Sequence, residues 1–240
     1  MLLLVSFCLV GAVFAFVAAA QGSADNDKGP LQKITFIHYK KGFAKPEAPG
    51  KSKPVNCYGF LAAGAKWKTT EPYLINPTNY DGLSASFVES AVNAGVAEWE
   101  KYVTFNIFGD ESKDYSAQFI DDYTDGKNTV TFGTYSNSGV IAIANVWGYF
   151  GGKTQYRELT EWDILFNDAY FTFGDATVNT GLMDLQNIAT HELGHAAGMD
   201  DLYNTVCYQE TMYGYSNEGE TSKRNLYNGD ITGIRNLYGS

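Results

Sequence analysis

Two histidines and a glutamate in the run His191-Glu192-Leu193-Gly194-His195 have the types and spacing to do chemistry. On a helix, side chains four apart leave one face a turn apart, so both imidazoles can converge on a single cation while Glu192 stands beside its open coordination position. The chain holds only 3 histidines in 240 residues, and a chain of this composition produces the pattern by accident roughly 0.002 times. The implied chemistry is zinc-assisted hydrolysis. The ion lowers the pKa of a bound water and polarises a carbonyl, while Glu192 as general base takes the water's proton and returns it to the leaving group. Such a site needs a third protein ligand. Gly198 can adopt the left-handed conformation that turns the chain out of the helix, and Asp201, six residues after His195, offers a carboxylate oxygen able to bind zinc. Asp200 is its rival.

The elements that must position these groups are readable as periodicity. Leu185, Ile188, Ala189, Leu193 and Ala196 recur at helical spacing behind Asp184, a good N-cap, and Gly198 should end that helix. A second helix is expected from Ser86, where Ser86 and Glu89 fit a capping box and Val88, Ala91, Val92, Gly95, Trp99 and Tyr102 form a stripe for packing on a sheet. Strand-like runs occupy residues 31–39, 72–76, 129–132, 140–146 and 162–166, with turn-rich sequence between the later ones. Residues 140–144 are nearly all apolar, which predicts a central strand or one covered by a ligand. The pattern describes an α+β fold.

The run HELGHAAGMDD, followed by Thr211-Met212-Tyr213-Gly214, resembles the metzincin signature, with Gly198 in place and Met212 as the Met-turn methionine. Residues 184–190 and the closing stretch with Leu226, Asp230-Ile231, Gly233-Ile234 and Leu237-Tyr238-Gly239 are similar to matrixins. The resemblance covers residues 67–240 and implies a twisted, mostly parallel sheet, an active-site helix, a Met-turn and a C-terminal helix. It implies a zinc-dependent endopeptidase acting on proteins or peptides, with His191, His195 and Asp201 as zinc ligands. Most metzincins carry a third histidine where this chain has Asp201. That feature is similar to snapalysin, which also has a cysteine six residues further on, as Cys207 is here. An anionic third ligand predicts a less acidic bound water and an activity optimum towards neutral or alkaline pH. A thermolysin-like site would instead use a distant Glu210 or Glu218; Gly198 and Met212 argue against it. Met212 is expected to pack beneath the ligands. Tyr213 and Tyr215 either wall the pocket for the residue after the cleavage point or are ordinary core aromatics. In the family the substrate pairs with an edge strand, and residues 140–147 are the candidate.

The rest of the chain bounds where this chemistry happens. Residues 1–20 are apolar, uncharged and end in Ala18, Ala19 and Ala20, as a signal peptide does; an uncleaved anchor is the competing reading. A secreted, extracellular protein without stable membrane insertion follows. Cys8 would leave with the signal, so Cys57 and Cys207 are expected to form a disulfide in an oxidising compartment. The alternative, Cys57 as a propeptide cysteine on the metal, lacks the Arg and Asp that accompany such a switch. Residues 21–66 form a basic arm, either a propeptide or a permanent part of the fold, ahead of a catalytic domain at 67–240. Up to Lys68 there are nine lysines and three acids, a balance of +6, against −16 for the remainder. The net −10 has the wrong sign for coating nucleic acid, and the arm can be held to the body electrostatically. His38, in the arm, reads as a strand-face histidine with no metal role. Asp121, Asp122 and Asp125 suit calcium or form a solvated acidic loop. A monomer is expected. The rival function is an exported non-catalytic binding or surface protein keeping a metzincin fold and a structural zinc; Glu192 speaks against it, because a structural site needs ligands but no base.

Overall fold

The structure is a computed structural model and describes residues 28–43 and 56–240. The expected signal at residues 1–20 and most of the Lys, Pro and Gly-rich connector at 40–55 lie outside the described residues. In chain order the elements are β1 (Gln32–Lys40), β2 (Glu71–Ile75), α1 (Ala85–Glu100), β3 (Phe108–Lys113), β4 (Asn128–Gly133), β5 (Val140–Tyr149), β6 (Glu158–Asn167), β7 (Phe173–Gly174), β8 (Met183–Asp184), α2 (Leu185–Ala196), β9 (Tyr215–Ser216) and α3 (Asn228–Tyr238). Seven strands form one sheet in the order β3-β2-β4-β6-β5-β1-β9, and β7 pairs with β8 beside it. The β2/β3, β2/β4, β4/β6 and β1/β9 pairs are parallel, while β5 runs antiparallel to both β6 and β1. This is an α+β fold on a mixed, mostly parallel sheet.

The apolar stripe of α1 buries Val88, Ala91, Val92, Gly95 and Trp99, and Trp99 also donates its indole N–H to the Thr190 carbonyl of α2 at 2.7 Å. Trp67 does the same to Ala196 at 2.8 Å. Two buried tryptophans thus fix the active-site helix at both its middle and its end, each satisfying its one polar atom. The N-cap of α1 differs from expectation. Ser84, not Ser86, accepts the Phe87 N–H, and Glu89 is ion-paired with Lys113 of β3 instead of closing a box. Two serines two residues apart offer the same cap chemistry, and tertiary contacts chose between them. Strand β3, FGDESK, carries no apolar alternation; it is an edge strand held by backbone pairing to β2 and by Asn93 against Glu111.

The basic arm belongs to the same sheet, since β1 inserts between β5 and β9. Its lysines meet acids of the body: Lys28 with Glu158 at 2.6 Å, Lys33 with Asp121 at 2.7 Å and Lys40 with Glu218 at 2.5 Å. Pairs this exposed contribute at most about 1 kcal/mol each. A Cys57–Cys207 disulfide, with Cα atoms 5.3 Å apart and 150 residues between, contributes on the order of 4 kcal/mol in the chain-entropy account. No helix among the described residues is long and apolar enough to cross a membrane.

Candidate active site

Helix α2 is anchored at its start by Asp184, whose carboxylate accepts the Asn187 N–H at 2.9 Å. Eleven of its residues are buried, including His191, Glu192 and His195. Gly194, between the two histidines, is where Met212 presses against the helix: a Cβ built there would lie 2.2 Å from the Met212 sulfur. Only glycine leaves room for a methionine packed directly beneath the histidine pair. The helix ends at Gly198, whose φ of 102° is reserved for glycine, and the chain swings back so that Asp201 faces the helix.

His191, His195 and Asp201 each bring one ligand atom within 4.8 Å of the others. The histidine Nε2 atoms are 3.2 Å apart, and Asp201 Oδ1 lies 3.3 Å from the first and 3.5 Å from the second. Both opposite ring nitrogens are committed as donors, His191 Nδ1 to the Thr211 carbonyl at 2.7 Å and His195 Nδ1 to the Met199 carbonyl at 3.1 Å. That fixes the tautomers and turns two Nε2 lone pairs towards each other. Asp201 Oδ1 is buried with no hydrogen-bond partner. Two facing acceptors and an orphaned carboxylate oxygen require a positive charge between them, so the donor set fits a divalent metal, and nitrogen with oxygen ligands suits zinc. Without a metal the same need appears as a proton: burial opposes it, but the Asp201 carboxylate holds the His195 imidazole above its usual range. Asp201, despite its burial, is in turn held well below the carboxylate range by His195 and His191. Burial drives His191 down to about 4.

Asp200 takes no part in this group; its Oδ1 accepts the Asp201 N–H at 2.9 Å and its Cβ packs near Gly59. Glu210 caps α3, accepting the Gly229 and Asp230 N–H groups at 2.9 and 3.1 Å, and Glu218 is paired with Lys40. Neither approaches the histidines as a thermolysin-like ligand would. Cys57 is bonded to Cys207 and does not face the cluster. Asp121 is engaged by Lys33 and Asn145, and Asp125 accepts the Lys127 N–H at 3.0 Å; among the described residues these carboxylates and Asp122 form no metal-capable group. Calcium is not supported.

Glu192 is wholly buried, which pushes its carboxyl up to about 8. One oxygen, Oε2, has no partner. The other accepts from His38 Nδ1 at 2.8 Å. His38 is therefore no remote strand-face histidine: it lies inside the site, its ring 3.9 Å from that of His191, and it joins His191 and Glu192 in a second metal-capable group. Its Nε2 accepts from the Ser216 hydroxyl at 3.1 Å. Ser216 is held in turn by Lys223, a buried ammonium that donates to Ser216 Oγ at 2.8 Å and to the Tyr213 and Tyr215 carbonyls at 2.7 and 2.6 Å. Burial lowers the Lys223 pKa to about 8. Asp230 of α3 fixes the other side of the turn, accepting the Thr211 N–H at 2.6 Å and the Met212 N–H at 3.2 Å. Sequence reasoning missed these positioning roles. For His38 there was a signal, since it is one of three histidines in the chain and shares a strand face with Phe36; for Lys223 there was none. Tyr213 and Tyr215 line, with Lys41, Tyr208 and Gln209, an open cavity of about 810 Å³.

A helix presenting two histidines and a glutamate over a methionine-bearing turn, with an aspartate returning to face them, is the centre of a metzincin. The matrixin family model, Peptidase_M10, matches residues 66–239, and the chain belongs to that family; it is thereby a zinc metalloprotease. No curated protein matched the chain.

Proposed function

We propose that the protein is a secreted zinc endopeptidase in which His191, His195 and Asp201 hold the ion and Glu192 is the general base. The observation that carries this is the set of three inward-facing ligand atoms, one of them a buried carboxylate oxygen with no other partner. Zinc in that place supplies Lewis acidity to a water and to the scissile carbonyl. The chain's own residues do the rest. Glu192, held by His38 through one oxygen and with the other free beside the ligand group, is placed to take a proton from water and pass it to the leaving amine. The Thr211 and Met199 carbonyls hold the imidazoles in one tautomer, and Met212 packs against the helix at Gly194 between them. The apolar residues 1–20, read as a signal, support export, and a disulfide suits that compartment.

The test measures zinc content and casein hydrolysis together. About one zinc per chain is expected in the wild type, in Asp200→Ala and in Glu192→Ala, and a loss of zinc in His191→Ala and Asp201→Ala. Casein hydrolysis should vanish with a chelator and fall by at least about a hundredfold in Glu192→Ala. Equal, measurable activity in Glu192→Ala and wild type would overturn the role of Glu192; zinc retained by Asp201→Ala and lost by Asp200→Ala would exchange the third ligand.

A further inference from the structure

The catalytic groups cannot be reached as the chain stands. His191, Glu192 and His195 are 0%, 0% and 1% exposed, and what covers them is β1. This strand pairs antiparallel with β5 over eight residues, Gln32 opposite Gly148 to Tyr39 opposite Val140, and parallel with β9 at Tyr39 and Lys40. The residues on its inward face sit directly on the site. Phe36 stacks on the His195 ring at 3.8 Å with the planes 7° apart, and His38 engages the Glu192 carboxylate. An extended peptide that is to be hydrolysed here must bring its backbone to the same place and needs the β5 edge for main-chain pairing. That edge is taken.

We propose that β1 is a built-in occupant of the peptide-binding slot between β5 and β9, a strand that must leave before a substrate enters, and that the slot's chemistry selects peptides resembling it. The proposal rests on the peptidase reading of the site. Only two side chains of β1, Phe36 and His38, are buried, so it is lightly anchored for a strand with partners on both sides. Its ends are held by Lys33 on Asp121 and Lys40 on Glu218. When β1 leaves, those carboxylates are uncovered at the two ends of the slot. The preferred occupant is therefore an extended peptide with an aromatic residue at the place of Phe36 and a basic residue towards each end. The Cys57–Cys207 bond keeps the chain from Cys57 onward in place when β1 departs.

The experiment uses the full zinc-loaded chain, wild type and Phe36→Gly/His38→Gly, with a fluorescent synthetic peptide of the sequence of residues 31–41, LQKITFIHYKK, and a copy with glutamate in place of the lysines matching Lys33 and Lys40. Hydrogen exchange should show β5 amides losing protection in the double variant while β4 and β6 keep theirs, and His38→Gln should show the same change at smaller size. The double variant should bind the lysine peptide at least tenfold more tightly than wild type does, bind the glutamate copy several-fold more weakly, and cleave casein at least tenfold faster. Expected peptide binding with no casein cleavage by either form leaves the occupied slot standing and sinks the peptidase reading. Equal peptide binding by wild type and variant, or no binding to a variant whose β5 amides have opened, overturns the proposal. Equal binding of the two peptides overturns its charge preference.

Discussion

The two ends of α2 each hold a buried acid cluster, and they differ in whether the cluster is satisfied. At the start, both oxygens of Asp184 are taken. The Asn187 N–H and the Arg224 Nε–H reach one at 2.9 and 2.7 Å, and the Ala176 N–H reaches the other at 2.9 Å beside the Arg224 terminal nitrogen. Arg224 extends the network to Asp175 at 2.8 Å. At the far end, Glu192 Oε2 and Asp201 Oδ1 are buried and bare. A buried polar group without partners costs free energy, so the difference separates a network that holds the helix from a cluster whose donor set suits a cation.

The largest expected effect lies at the unsatisfied end. Glu192→Ala should lower casein hydrolysis by about 10² to 10⁴-fold, the usual contribution of a positioned base, and should not lower the melting temperature, since it removes a buried carboxylate that has one partner where Asp184 has several. A fall in melting temperature as large as that of an Asp184 variant would erase the contrast between the ends. At the satisfied end, Arg224→Met strands Asp184. Removing one member of such a pair costs about 3 to 5 kcal/mol when it is fully buried; with Arg224 partly exposed, about 3 kcal/mol is expected in denaturant unfolding. Hydrolysis per folded molecule should be unchanged. A specific activity that falls in step with stability would show that the two ends are not separable.

Zinc sharpens the contrast further. A ligand at a hundred times its Kd stabilises by about 2.7 kcal/mol, so zinc added to the metal-free protein should raise the melting temperature of wild type and of Arg224→Met by similar increments and do little for Asp201→Ala. An undiminished increment in Asp201→Ala would place the metal elsewhere.

The satisfied end was more legible in the sequence than the other, because caps and stripes are local. Asp184 as N-cap, the apolar repeat of α2, Gly198 as its stop and the turn back to Asp201 all follow from spacing within a few residues. The apolar runs that became β4, β5 and β6 were legible for the same reason. What stayed hidden depended on contacts across the chain. The pairing of β1 with β5 joins residues about a hundred positions apart, and nothing in LQKITFIHY says which edge it will meet, so His38 could not be placed on Glu192. Strand β3 is made by backbone pairing and shows no apolar period. Lys223 is a buried cation whose partners are mostly main-chain carbonyls, and main-chain acceptors leave no trace in residue type.

A third buried carboxylate stands between the two extremes and gives the smallest expected effect, a slope in place of a loss. Asp163 of β6 accepts from the Thr129 hydroxyl and, at 3.3 Å, from the Ile120 N–H, and among the described residues it has no ion pair. Burial, with the Glu161 carboxylate nearby, raises its pKa from 3.8 to about 7. A carboxyl whose folded pKa is raised binds its proton more tightly in the native state than in the unfolded one. Between about pH 4 and about pH 7 the folded protein therefore carries more protons at this position, and stability falls as pH rises through that window, levelling off above it. Asp163→Asn replaces the acid by a neutral amide of the same shape that the Thr129 hydroxyl can still reach. Its stability profile by urea unfolding should be flatter than that of wild type across the window, with the variant gaining relative to wild type towards neutral pH. Parallel profiles would mean that Asp163 is supported by its hydrogen bonds as Asp184 is by its network, which would move it to the satisfied side of the comparison.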